Sequence, residues 1–94
     1  FNQNSLYILD EPEASLSPQR QLTLLITIYE LAKQGSQFII ASHSPILLGI
    51  PEAKILNFDS KEITPIDYQD TESYQITELF INNRAGLLNK LLNK

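Results

Sequence analysis

The alternation of apolar and polar stretches predicts a strand, a helix and a second strand in the first half of the chain. Residues 5–9 form a short, mostly apolar run, as in a strand buried on both faces, and QFIIAS at residues 37–42 indicates a second such strand. Between them, Ser17 is suited to cap a helix that starts at Pro18, and Gly35 is suited to end it. Apolar spacing predicts one packing face on this helix: Leu22, Leu25, Ile26, Tyr29 and Ala32. The order indicates a right-handed parallel crossover unit, an α/β arrangement.

The middle of the chain predicts a short helix followed by a β-hairpin. Ser44 and Pro45 are suited to open the helix, and Pro51 is suited to close it. Residues 53–66 predict a hairpin, or two edge strands, around a polar turn at residues 59–61.

The end of the chain combines a polar stretch with two amphipathic segments. Residues 69–73 predict a linker. Apolar residues at helical spacing then predict two helices, one with Ile76, Leu79 and Phe80 and one with Leu87, Leu88, Leu91 and Leu92. We expect these helices to serve packing rather than chemistry. The pattern therefore predicts a core over residues 1–66 and a C-terminal helical tail over residues 67–94.

Composition limits the classes of function. With 94 residues, 43% of them hydrophobic, the chain is expected to form at most one globular domain with a modest core. A formal net charge of -4 gives no general electrostatic reason to bind nucleic acid or an anionic membrane, so such a partner would need sequence outside this chain. Cysteine, a signal peptide and a membrane-spanning apolar run are all absent, so we expect a soluble, cytoplasmic protein. The absence of Met and the start at Phe1 predict a piece of a longer protein.

Polar residues follow both predicted strands. Asp10 and Glu11 come directly after the first strand, and Ser42, His43 and Ser44 follow the second. Because ligands bind beyond the carboxyl ends of parallel strands, we expect these residues to meet at one edge of the sheet. Two adjacent carboxylates repel each other unless a cation or a proton lies between them. The edge is therefore suited to a hydrated Mg²⁺ and to phosphoryl transfer.

Each of these residues has a chemical and a simpler interpretation. Asp10 is suited to hold Mg²⁺, Glu11 to orient an attacking water, and His43 to donate a hydrogen bond to a terminal phosphate. The simpler interpretation of the acid pair is a strand that surfaces at a turn. The simpler interpretation of His43 is a side chain that packs against its neighbours or lies at the end of a helix.

Two segments carry a resemblance to a known family. LYILDEPEASLSP at residues 6–18, followed by QFIIASHSP at residues 37–45, resembles the Walker B, D-loop and H-loop segments of ATP-binding-cassette ATPases. The shared features are a strand ending in two acids, the proline after them, a short loop opening a helix, and a histidine after the next strand. SLSP and SHSP resemble soluble ATPases of the chromosome-maintenance and recombination-repair branch, including small bacterial ATPases of the AAA type.

The resemblance implies a partial P-loop NTPase fold and a role for each candidate residue. Asp10 would contact Mg²⁺ through water, Glu11 would polarise the hydrolytic water, and His43 would be the switch histidine near the γ-phosphate. Ser15 and Ser17 would contact nucleotide from the D-loop, although Ser17 stands where an aspartate is common. The resemblance implies ATP and Mg²⁺ as cofactors. Because the D-loop crosses to the partner subunit in the family, it also implies a homodimer or a paired nucleotide-binding domain.

The resemblance also implies missing parts. Gly35, Gly49 and Gly86 lie far apart and none precedes a lysine, so the GxxxxGK[ST] phosphate loop is absent, as is an LSGGQ-like signature. Both precede Walker B in the family. We therefore expect residues 1–66 to be the C-terminal part of the ATPase core, inactive in isolation.

Other functions stay open on the sequence alone. The chain could belong to the ATP-binding subunit of a transporter, or to a non-catalytic regulatory module, such as a toxin–antitoxin or defence component that keeps the ATPase fold. A metal-dependent nuclease is a further alternative, for which Asp10, Glu11 and Glu13 are the clustered acids. An LSGGQ-like stretch directly before Phe1 would discriminate in favour of the ATPase.

Overall fold

Two parallel strands joined by a helix form the first part of the computed structural model, which describes residues 4–58 and 61–93. β1 (Leu6–Asp10) pairs with β2 (Gln37–Ala41), and α1 (Pro18–Lys33) connects them. The predicted order of elements and the parallel pairing are both confirmed. The chain is therefore a mixed α/β protein.

Both ends of α1 are set by local sequence, as predicted. The side-chain oxygen of Ser17 accepts a 3.2 Å hydrogen bond from the Arg20 backbone N–H, and Pro18 occupies the first turn. Gly35 follows the end of the helix with a φ of +107°, a conformation that glycine adopts readily because it has no Cβ. A Cβ at this position would also collide with the Asn4 side chain.

The packed face of α1 is shifted from the one that its apolar spacing predicts. Leu22 and Ile26 belong to the predicted face but are 51% and 53% exposed, whereas Ile28 is 3% exposed. The half-buried neighbours of Ile28 along the helix include Leu24, Leu25 and Leu31. The predicted face is therefore wrong in part. Apolar residues surround most of the circumference of α1, so their spacing alone does not select one side.

The parallel sheet is covered on one face. Its half-buried side chains are Tyr7, Leu9, Phe38 and Ile40. Among them, the rings of Tyr7 and Phe38 stack with their centroids 5.0 Å apart. The opposite face exposes Leu6, Ile8 and Ile39 at 57%, 73% and 55%. The prediction that both strands are buried on both faces is therefore wrong for this chain, because α1, which contacts β2, supplies one covering layer.

A short 3-10 helix follows β2 at Leu47–Gly49, where the sequence predicts a short helix. Leu47 is 3% exposed, and the 3-10 helix contacts α1. These elements belong to the first of two compact units, Phe1–Ala53. Its core is small and lies between α1, the sheet and the 3-10 helix.

The second compact unit, Lys54–Lys94, begins with the predicted hairpin. β3 (Leu56–Asn57) pairs antiparallel with β4 (Thr64–Pro65). Two residues of the predicted turn, at positions 59 and 60, lie outside the described residues. Each strand has two residues, so the hairpin is a minor element.

Two helices complete the second unit, as predicted. They are α2 (Glu72–Asn82) and α3 (Arg84–Leu92), which contact each other. The linker predicted at residues 69–73 is wrong, because Tyr68–Asp70 is a 3-10 helix and Thr71 is the N-cap of α2. Polar residues of the kind found in linkers are also the residues that cap helices.

The apolar side chains of α2 and α3 are largely exposed, among them Ile76, Leu79, Phe80, Ile81, Leu91 and Leu92. Within residues 4–58 and 61–93, none of the helices is both long and apolar enough to cross a bilayer.

The division into two compact units falls after Ala53, which places the hairpin with the C-terminal helices. The assignment of residues 1–66 to an ATPase core and residues 67–94 to a tail stays a prediction.

Candidate functional site

The candidate residues lie at the edge of the sheet where both strands end. Because β1 and β2 are parallel and in register, Asp10 lies opposite Ala41. The Glu11 backbone N–H then donates a 2.7 Å hydrogen bond to the Ala41 carbonyl, which extends the pairing by one residue. His43 comes two residues after Ala41 and is exposed. Asp10, Glu11 and His43 are thus brought to one edge, while the chemical roles assigned to them stay predictions.

Glu13 connects the two strand ends through its carboxylate. Ser42 Oγ donates a hydrogen bond to Glu13 Oε1 at 3.0 Å, and the His43 backbone N–H donates to Glu13 Oε2 at 3.2 Å. Glu13 is half-buried, and hydrogen bonds to an ionised carboxylate are stronger than those between neutral groups. The sequence marks Glu13 only as an acid near the acid pair. Its contacts lie 29 and 30 positions away, and sequence reasoning missed them because no local pattern specifies such a distance.

Gln21 and Ser44 make a second connection in the same region. Ser44 Oγ donates to Gln21 Oε1 at 2.5 Å and accepts from the backbone N–H groups of Ile46 and Leu47 at 3.2 and 3.1 Å. Gln21 Nε2 in turn donates to the Leu16 carbonyl at 3.1 Å. Ser44 is 5% exposed and lies in the turn before the 3-10 helix, whose N-cap is Ile46, so the prediction that Ser44 opens this helix is wrong by two residues. The sequence offers no local signal for Gln21, because its partner Ser44 lies 23 positions further on.

Ser15 and Ser17 occupy the loop between β1 and α1. Ser15 is exposed, and the hydroxyl oxygen of Ser17 accepts the N-cap hydrogen bond of α1. Ser17 therefore has a structural role in this chain. The predicted contact of both serines with nucleotide stays a prediction.

Asp10 provides an exposed carboxylate at the end of β1. Across residues 4–58 and 61–93, His, Cys, Asp and Glu do not form a group of three or more that is placed to hold a metal ion. Mg²⁺ does not require such a group, since it keeps several waters and is commonly held by one or two carboxylates together with substrate phosphates. A single exposed oxygen donor at Asp10 fits that chemistry.

Glu11 has an unusual backbone conformation. Its φ is +46°, in the left-handed region that glutamate rarely adopts, and Asn4 and Glu52 are the other described non-glycine residues with positive φ. Such conformations cost on the order of 1–3 kcal/mol and cluster at functional sites, where the surrounding structure holds them. At Glu11 the turn is fixed by the bond to Ala41 and by a 3.1 Å bond from the Ala14 N–H to the Glu11 carbonyl.

Comparison with known proteins identifies a family for this region. A family model described as "AAA domain, putative AbiEii toxin, Type IV TA system" matches residues 2–49, which include β1, α1, β2 and the 3-10 helix. No solved structure shows a significant match to the chain.

Two curated relatives extend the comparison to nearly the whole chain. Both are named energy-coupling factor transporter ATP-binding protein EcfA. The one from Methanocaldococcus jannaschii is 31% identical over 97 residues, covering 98% of this chain and 34% of that protein. The one from Methanothermobacter thermautotrophicus is 26% identical over 91 residues, covering 92% of this chain and 29% of that protein. The chain therefore spans about a third of the length of these relatives.

Proposed function

The chain belongs to this family of AAA domains, and from that premise we propose that it supplies the hydrolytic residues of an ATP-binding-cassette-type ATPase. The observation that carries the proposal is the shared edge of β1 and β2, where Asp10, Glu11 and His43 lie together. The names of both relatives support ATP binding. The activity belongs to a longer protein, called the complete ATPase below, whose phosphate-binding loop lies in its other part.

Each residue of the edge has a distinct task in this proposal. Asp10 would hold a hydrated Mg²⁺ together with the phosphates of ATP, and such an ion would supply positive charge beside the two adjacent acids. Glu11 accepts a hydrogen bond from the attacking water and orients it toward the terminal phosphate. His43 donates a hydrogen bond to an oxygen on which negative charge develops.

The loop that carries Ser15 and Ser17 is proposed to face the nucleotide of a second domain in a homodimer or a paired arrangement. Ser15 is exposed and therefore accessible to a partner. Ser17 would have to donate its hydroxyl hydrogen to a partner phosphate, since phosphate oxygens only accept, and its oxygen is already engaged in the cap bond from Arg20. Ser15 is thus the better placed of the two.

The ATP-binding subunit of a transporter is the second candidate function. The observation in its favour is the similarity to two proteins of that name over 98% and 92% of this chain. The family description, which names a putative toxin, points instead to a system without transport. Purification of the complete ATPase from membranes together with an integral membrane subunit would support the transporter. Its recovery from the soluble fraction without one would support the other assignment.

The substitution Glu11→Gln in the complete ATPase tests the proposed chemistry. Glutamine has the same shape as glutamate and would have to adopt the same left-handed backbone conformation at position 11, but it cannot take up the proton of the water. We expect ATP binding to be retained and hydrolysis to fall by about 10²–10⁴-fold. Glu30→Gln, an exposed acid on α1, is the matched control and should hydrolyse at the unmodified rate. Unmodified hydrolysis by Glu11→Gln would require a different base.

A further inference from the structure

We infer that Glu13 is a positioning residue that fixes the distance between Glu11 and His43, an inference that rests on the proposed function. Its carboxylate receives hydrogen bonds from Ser42 Oγ at 3.0 Å and from the His43 backbone N–H at 3.2 Å. Neither the family match nor the names of the relatives assign a role to this residue.

The turn that carries Glu13 is hydrogen-bonded back to Glu11 through Ala14. The Ala14 N–H donates to the Glu11 carbonyl at 3.1 Å, and the Leu16 N–H donates to the Glu13 carbonyl at 2.9 Å. These two turns run from the end of β1 toward the start of α1, so Glu11 and Glu13 belong to one hydrogen-bonded segment. A displacement of the Glu13 carboxylate therefore changes where His43 lies relative to Glu11.

The contact acts on the backbone of His43 and leaves its imidazole uninvolved. Both carboxylate oxygens accept one hydrogen bond each, so the group is oriented by two points rather than one. The imidazole is left to contact a substrate, and Glu13 influences it only through position. Because misplacement of a reacting group by about 1 Å can cost about 100-fold in rate, loss of this contact should lower kcat.

Ser44 supports the same segment from its other side. Its hydroxyl donates to Gln21 Oε1 at 2.5 Å, and its backbone N–H donates to Ser42 Oγ at 3.0 Å. Hydrogen bonds therefore hold both Ser42 and Ser44, the residues before and after His43. Among these bonds, the one to Glu13 comes from the turn that carries Glu11. This connection separates Glu13 from a residue that only stabilises the fold.

A double-mutant cycle between Glu13→Ala and His43→Ala in the complete ATPase tests the inference. We expect Glu13→Ala to lower kcat by about 10- to 100-fold with little change in the KM for ATP, because substrate binding does not use the contact. In the His43→Ala background, the same substitution should have almost no further effect, since the side chain that it positions is gone. An equal loss in both backgrounds would overturn the inference.

A second variant and a control keep the result interpretable. Glu13→Gln retains one acceptor oxygen, so its kcat should lie between that of the unmodified protein and that of Glu13→Ala. If Glu13→Ala folds poorly, the kcat of Glu13→Gln is compared with that of the unmodified protein alone and should be lower. Hydrogen exchange at the His43 amide should accelerate in both variants, and Glu30→Ala should leave both exchange and kcat unchanged. A Glu13→Gln variant with unmodified kcat and accelerated exchange would show that the contact does not serve catalysis.

The failure of this inference differs from the failure of the proposed function. If Glu11→Gln abolishes hydrolysis while Glu13→Ala and Glu13→Gln leave kcat unchanged, Glu13 has no positioning role and the ATPase assignment stands. If Glu11→Gln and His43→Ala both hydrolyse at the unmodified rate, the proposed function fails, and the positioning role fails with it.

Discussion

The two compact units differ in how far some of their side-chain hydrogen bonds reach along the chain. In the first unit, Glu13 and Gln21 accept side-chain or backbone hydrogen bonds from residues 23 to 30 positions further on. In the second unit, the hydrogen bonds of Thr71 and Asn93 reach residues three and four positions away. The first unit therefore fixes the distance between separate loops, while these contacts of the second unit fix single helix ends.

This difference agrees with the proposal that the chemistry lies in the first unit. A site assembled from two strand ends needs contacts that hold both ends at a set distance, and the first unit contains them. The family match at residues 2–49 falls wholly within that unit. Short-range contacts are sufficient for helices that only have to form and pack. The comparison can be tested by substitutions that should affect one unit and spare the other.

The largest expected contrast is in activity, through His43→Ala. An exposed loop histidine contributes little to packing, so the free energy of unfolding should barely change. Loss of one donor to developing charge costs on the order of 3 kcal/mol, which corresponds to a fall of about 100-fold in kcat. The control Gln75→Ala changes an exposed residue on α2 and should leave kcat unchanged. Equal effects of the two substitutions on ATP hydrolysis by the complete ATPase would remove the contrast between the units.

A smaller contrast is expected in stability, between Ile28→Ala and Ile81→Ala. Ile28 is 3% exposed and Ile81 is 70% exposed. Truncation of the buried side chain should lower the free energy of unfolding by about 2–4 kcal/mol, and truncation of the exposed one by less than about 0.5 kcal/mol. Denaturant unfolding of the two variants measures the difference. A large loss for Ile81→Ala would show that this side chain is covered in the complete protein.

The smallest expected effects concern two pairs of titratable side chains, one in each unit. A hydrogen bond to Glu52, followed by the attraction of its charge, raises the pKa of Lys33 above its ordinary value of 10.5. A hydrogen bond to Glu78, followed by the repulsion between its carboxylate and the phenolate that deprotonation would create, raises the pKa of Tyr74 above its ordinary value of 10.0. Glu52→Gln should lower the pKa of Lys33 and leave that of Tyr74 in place, and Glu78→Gln should do the reverse, as followed by NMR titration.

The sign of the Lys33 effect on stability follows from its raised pKa. The favourable contact is fully present below the pKa of the unfolded chain and is lost as the pH rises through the pKa of the folded one. Both groups are exposed, so solvent screening keeps the contribution small. A pKa of Lys33 that does not change in Glu52→Gln would show that the pair does not form in solution.

The sequence predicts those features that depend on neighbouring residues. Ser17 and Gly35 mark the ends of α1 because capping and positive φ are local requirements. The parallel pairing is also predictable, since a strand, a helix and a strand with short connections leave few alternatives.

The remaining features depend on contacts that no local pattern encodes. The packed side of α1 is decided by which layer covers it, so Leu22 and Ile26 are exposed here although they are apolar. The carboxylate of Glu13 finds its partners only after β2 is paired, and the polar residues before α2 resemble a linker until Thr71 caps the helix. The sequence therefore predicts the edge on which the candidate site lies, but not the contacts that hold it.

If Glu11 has the proposed role, its left-handed backbone sets stability and activity against each other in a directed-evolution experiment. Asparagine and glycine adopt a φ near +46° more readily than glutamate does, so either substitution should relieve strain at this turn. Neither can orient a water as a carboxylate does. A library of variants sorted only for resistance to heat should therefore become enriched in asparagine or glycine at position 11 and lose hydrolysis as it does so. Retention of glutamate under such sorting would mean that the turn is not strained.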